Sequence, residues 1–135
     1  MSAGADAAAA RERGRQVRQA LWGENTDAVL AQGAAAELAP QLNTVSDEAV
    51  FGQIWTDERL ELKLRSLVTI SALVALGRER QLRAHVVGGL NAGLEPEQIV
   101  QAVVHLAFYA GLPAAHSALE VVREVFAERG ISTAS

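Results

Sequence analysis

The 135-residue sequence contains no cysteine. That absence removes disulfides, thiolate nucleophiles, zinc–thiolate sites and dithiol redox chemistry. Aromatic residues make up only 4% of a chain that is 50% apolar, so its core must be packed from Ala, Val and Leu, a composition that suits helices. There is no excess of positive charge either: the formal charge is −4 and the arginines are scattered, which points away from nucleic acid or an anionic membrane as partner. Long hydrophobic runs are also missing. The longest mainly apolar stretch, Leu67 to Leu76, is about half of the ~20 residues that a membrane span needs. The opening MSAGADAAAARERG places its charges after the Ala run and does not read as a secretory signal. The expectation is a soluble, cytoplasmic protein.

The length suits a single domain, residues 1–135, but is short for a monomer that encloses a roomy cavity. Residues 1–10 are small and weakly patterned, which predicts a frayed start. Val17, Ala20 and Leu21 then lie at helical spacing, with Gly23 placed to close a helix. Asp27 to Leu38 forms an Ala-rich helix candidate stopped by Pro40. Ser46 is positioned to cap a short helix through Trp55, with Asp47 and Glu48 in its first turn.

The second half carries clearer punctuation. Asp57 can cap a helix from Glu58 to Leu76, ended by Gly77, whose apolar residues surround most of its axis and predict a central, multiply buried helix. Arg80 to Asn91 follows and is closed by Gly93. Pro96 opens a helix through Tyr109 that is shut off at Gly111, and Pro113 opens a last one ended by Gly130. No repeat and no strand pattern of period two is visible. The pattern predicts an all-α, compact bundle of about six to seven helices with a core over residues 47–130. So much apolar face with so few large side chains points to a homo-oligomer, although tight packing within a monomer would use the same faces.

With cysteine absent, few reactive groups remain. His85 shares the apolar face of its helix with Leu82 and Gly89, so its imidazole can act as base or acid near neutrality. A core histidine bonded to a backbone carbonyl would occupy the same place. Gly88 and Gly89 leave room beside it for a ligand or a second helix. His105 and Tyr109 are four apart and stack on one helical face, ready for a shared ligand or for plain packing. His116 has no obvious partner.

Arg65 interrupts a heavily apolar helix. It can pair with Glu61 one turn earlier, or clamp a carboxylate with its guanidinium fork. Trp55 can wall a cleft or fill core. GGLNAG lacks the preceding strand that a dinucleotide loop requires, and the histidines show no HExxH spacing, so neither a cofactor nor a metal is expected.

The segments FGQIW, LRSLVTISALVALGRERQLRAHVVGGLNAGLEPEQIVQAVVHLAFYAGLPAA and VREVFAERG together resemble the carboxymuconolactone decarboxylase family, from about Phe51 to Gly130. The resemblance implies an AhpD-like helical bundle that assembles as a homotrimer or homohexamer. The family's peroxidase branch carries a CxxC pair and a glutamate which, aligned on His85, fall at Arg78, Gln81 and Ser66; all three are missing here, so thiol peroxidase activity is not expected. The decarboxylase branch is cofactor-free. It implies a lyase that takes CO2 from a lactone carboxylic acid through a dienolate, as in aromatic catabolism. On that resemblance His85, His105 and Tyr109 are the expected catalytic residues, and Arg65, Trp55 and Glu61 the expected substrate contacts. A related lyase or isomerase working through an enolate on another small acid, and a non-catalytic helical assembly module, stay open. TDERL stands where the decarboxylases usually carry a proline–glycine turn.

Overall fold

The computed structural model describes residues 3–133. Among them are eight α-helices, one π-helix and no strand, as the absence of a period-two pattern implied. They divide into two compact units, one up to Leu62 and one from Lys63.

The first unit contains α1 (Ala3–Trp22), α2 (Thr26–Ala31), α3 (Ala34–Leu38), α4 (Pro40–Val45) and the π-helix (Ser46–Ile54). α1 begins at Ala3 rather than after a frayed decapeptide, because alanine needs no partner to favour the helix. Its buried stripe is Ala10, Gly14, Arg18 and Leu21, at steps of four, four and three. That stripe packs along the π-helix. A Cβ on Gly14 would stand 2.0 Å from the Asp47 carbonyl oxygen, and one on Gly52 would stand 2.2 Å from that of Ala10, so both positions tolerate only hydrogen. Trp22, Phe51 and Trp55 form the aromatic part of this unit. The Trp22 and Phe51 rings meet edge to face at 5.8 Å, and Phe51 and Trp55 lie tilted at 5.5 Å.

Three boundaries differ from those expected. The Asp27–Leu38 candidate is two short helices, because Gly33 is extended (ψ 159°) and interrupts it. Pro40 starts a helix rather than merely ending one, since proline fits the first turn. Helical structure then continues through Ser46, which makes no side-chain capping bond, and widens into the π-helix.

The second unit is an aliphatic bundle of α5 (Leu62–Leu76), α6 (Glu79–Asn91), α7 (Pro96–Leu106) and α8 (Leu112–Glu128). Its core joins Ile70 and Val74 to Leu82, Val86, Ile99, Val103, Val122, Val125 and Phe126. Gly77 adopts φ +69°, a left-handed turn that returns the chain from α5 to α6. The Gln98 side chain accepts a 2.9 Å hydrogen bond from the Glu95 amide and fixes the start of α7.

α5 starts at Leu62, not Glu58. The Asp57 carboxylate accepts from the Arg59 amide at 3.0 Å and pairs with its guanidinium, an Asx-type turn that competes with helix. Nor is α5 buried on several sides. Ser66, Ile70 and Val74 form one buried stripe, while Val68 is 60% exposed and Leu76 66% exposed, because the bundle's core covers only one of its faces. No helix among the described residues is long and apolar enough to cross a membrane.

Candidate active site

The second unit holds four of the six expected site residues. His85 lies mid-way along α6 and is part-buried. Burial pushes its imidazole down from 6.5 to about 4, because the apolar surroundings penalise the charged form. One turn further on, Gly89 meets packed side chains rather than open space: a Cβ there would approach Leu94 Cδ1 to 2.9 Å and Ile70 Cδ1 to 3.1 Å. Of the two uses the sequence left open for this glycine, the structure shows close helix packing.

The same glycine faces Ser66 of α5, whose Cβ would be 3.6 Å from the added carbon. Ser66 is buried, and its hydroxyl has no hydrogen-bond partner among the described residues. The neighbouring hydroxyls of Thr69 and Ser71 instead donate back to the carbonyls of Arg65 and Leu67, each at 2.9 Å. Arg65, half-buried, precedes Ser66 in the sequence. The α5–α6 approach thus sets a buried hydroxyl, Ser66, against Gly89, one turn along α6 from the His85 imidazole, and the Arg65 guanidinium is borne by α5 next to Ser66 in sequence.

His105 and Tyr109 do stack, with ring centroids 5.0 Å apart and planes 28° from parallel. They are on the surface, however. Tyr109 is 78% exposed, and the helix ends at Leu106, so the tyrosine sits in the turn before α8. His116, to which the sequence assigned no role, is exposed on α8.

Trp55 and Glu61 belong to the first unit, where they line one shallow depression of about 420 Å³ together with Asp57 and Leu60. Trp55 is buried against Phe51, so packing accounts for most of its surface.

The first unit also contains a polar centre that sequence reading missed. Arg18, 5% exposed, donates from Nε to Asp47 at 2.7 Å and from Nη2 to both Asp47, at 3.1 Å, and Asp27, at 2.8 Å. Its Nη1 reaches the Thr26 hydroxyl at 3.3 Å. Burial works against the Arg18 charge, but the bonds to Asp47 and Asp27 outweigh it and raise its pKa, while Arg18 holds the Asp27 carboxyl below its usual range. The sequence signal was available, since Arg18 falls four residues after Gly14 on the stripe that ends in Leu21.

The chain is thiol-free and, among its described residues, all-α, with a desolvated imidazole on α6 and a half-buried guanidinium on α5. The chain belongs to the carboxymuconolactone decarboxylase family, whose sequence profile matches residues 40–124. It is 40% identical over 82 residues to the 4-carboxymuconolactone decarboxylase of Acinetobacter baylyi, a match covering 61% of each chain. It is 35% identical over 97 residues to an uncharacterized 15.0 kDa protein encoded in the nqo9-nqo10 intergenic region of Paracoccus denitrificans, covering 70% of this chain and 72% of that one. To the nitrosuccinic acid decarboxylase npaB of Metarhizium robertsii it is 31% identical over 77 residues, 57% of this chain and 54% of the relative. The matched segments thus span about three fifths or less of both named decarboxylases.

Proposed function

We propose that this chain is a decarboxylase of a small carboxylic acid, with a lactone acid of the 4-carboxymuconolactone type as first candidate. The observation that carries the reading is the 40% identity to the Acinetobacter enzyme over 82 residues, together with a family match, residues 40–124, that includes His85 and Arg65. The chemistry needs no metal or thiol. The carboxylate leaves a carbon conjugated to the lactone carbonyl, the electrons of the broken C–C bond collect as a dienolate, and a proton must then be delivered to carbon.

In this reading Arg65 holds a substrate carboxylate and His85 delivers the proton. An imidazole with a pKa of about 4 is neutral at pH 7 in the empty protein. A bound carboxylate beside it favours the imidazolium, so substrate binding itself loads the acid with a proton from solvent. CO2 leaves as a neutral molecule, so the negative charge passes to the dienolate, and transfer of the proton to its carbon neutralises it and returns His85 to its neutral form. Ser66 adds a buried hydroxyl donor on α5. His105 and Tyr109 are assigned to the lactone end only in a homotrimer or homohexamer, where another copy shields their exposed rings from water. Trp55 and Glu61 keep their own depression and receive no step. We read residues 1–135 as one functional domain, because the family match runs across both units, and we place the protein in the cytoplasm.

A second reading rests on the Metarhizium relative. A nitro group, like a conjugated lactone, accepts the electrons that CO2 leaves behind, so the same residues can serve a different activated acid. Incubation with 4-carboxymuconolactone, following CO2 release and the ultraviolet change, tests the first reading; equimolar CO2 is expected. CO2 from nitrosuccinate but not from the lactone selects the second, and no CO2 from any activated acid rejects both in favour of a non-catalytic helical module.

A further inference from the structure

We infer that the second unit contains a separate binding site for a small aliphatic monocarboxylate, with Arg78 as its anion-binding group. The site is a cavity of about 200 Å³ where the end of α5 and the beginnings of α6 and α8 meet. This is roughly the share of six or seven liquid waters, which fits a branched acid of five carbons.

Its inner wall is apolar and belongs to the core: Val74 and Leu82 are buried there, with Leu73 beside them. Its outer wall is polar, formed by the exposed residues Arg78, Glu79 and Ser117. An aliphatic body against the inner wall with a charged head at the outer one satisfies both surfaces.

The sign of the head follows from how the arginines of this unit are used. Arg83 is clasped by Glu124 and Glu128, Arg123 pairs with Glu120, and Arg129 donates to Asn91 at 2.9 Å. Arg78 and Arg80 make no side-chain hydrogen bond or ion pair among the described residues, and of the two only Arg78 lines the cavity. Its guanidinium fork is therefore available to a carboxylate, with the Ser117 hydroxyl as a second donor. Glu79 sets the limit: a second carboxylate on the ligand would meet its charge at close range, so the site selects a monoanion over a dianion. The site uses neither His85 nor Arg65 and is independent of the decarboxylase reading.

Amide NMR of the 15N-labelled chain tests it with isovalerate as probe, isovaleramide as its uncharged twin and methylsuccinate as the dianion. Isovalerate should give saturable shifts at residues 77–79, 82 and 114–118, with binding about tenfold tighter than isovaleramide, the factor a single charge-assisted contact supplies. Arg78→Gln should weaken isovalerate about tenfold while the rest of the spectrum stays unchanged. Ala114→Leu, which fills the cavity with Arg78 intact, should abolish the response. Glu79→Gln should bring methylsuccinate up to the affinity of isovalerate. Shifts located elsewhere, equal response to the amide, or undiminished binding by both Arg78→Gln and Ala114→Leu would overturn the assignment.

Discussion

The two units of this chain solve the problem of helix packing in opposite ways. The second unit is held by volume, an aliphatic core of Val, Leu and Ile in which Ile70, Val86, Ile99, Val103 and Val125 are fully buried. The first has few large aliphatic residues inside and is held by direction instead: glycines that admit a carbonyl, an arginine shared between two aspartates, and three aromatic rings. Volume tolerates small changes of shape, whereas directional contacts fail when a single atom is added or a single charge removed. The same contrast shows in the imidazole, because His85 belongs to the unit whose apolar surroundings disfavour its charged form.

The largest expected effect follows from the glycines. Gly14→Ala places a Cβ 2.0 Å from the Asp47 carbonyl oxygen, and with backbone on both sides neither can yield cheaply. A loss of about 4 kcal/mol or more is expected in urea unfolding, with α1 and π-helix amides losing protection in hydrogen exchange. A near-neutral result would mean that the first unit is not held by this close approach.

Next comes Arg18→Met, which leaves the partly buried Asp47 carboxylate without its counter-charge. A cost of about 3 kcal/mol is expected, at the lower end for a broken buried pair because Asp27 is half exposed. Raising Asp47→Asn in the same background should recover part of it, since the uncompensated charge is then gone. In the second unit, Ile99→Val removes one methylene from a fully buried site and should cost only about 1 kcal/mol. If the isoleucine change cost more than the arginine change, the contrast between the units would be reversed.

A further effect concerns pH. His85 has its folded-state pKa lowered to about 4 from 6.5, so between these values the unfolded chain binds the extra proton. Stability should therefore be at its full value above pH 6.5 and fall as pH drops toward 4, below which no further His85 contribution is lost. Asp27, lowered by Arg18, works in the same direction at more acid pH. The His85 part is isolated by His85→Gln, which should flatten the stability profile between pH 6.5 and 4 and leave the Asp27 part intact.

Much of the second unit was legible in the sequence because its signals are local. Gly77, Pro96, Gly111 and Pro113 set helix ends by backbone geometry alone, and the apolar spacing of α6 and α8 names their buried faces. The first unit was less legible because its contacts join residues far apart in the chain. Arg18 and Asp47 are 29 positions apart, and nothing in the periodicity of either segment announces the pair. Asp57 reads as a helix cap from the sequence, but its carboxylate bonds to Arg59 and forms a turn instead. Of the candidate site, His85 on an apolar face and the His105–Tyr109 stack were readable from spacing. The exposure of that stack was not, since it depends on the helix stopping at Leu106, and Ser66 was hidden among the leucines of α5.

The central claim is that a neutral, part-buried His85 becomes the proton donor when an anionic substrate arrives. The most direct test is CO2 release from 4-carboxymuconolactone by the wild-type chain and by His85→Ala, with circular dichroism to show that the helices are intact. The account predicts turnover by the wild type and a loss of at least about 100-fold in the folded variant, the scale of a positioned general acid. Undiminished turnover by His85→Ala would contradict it.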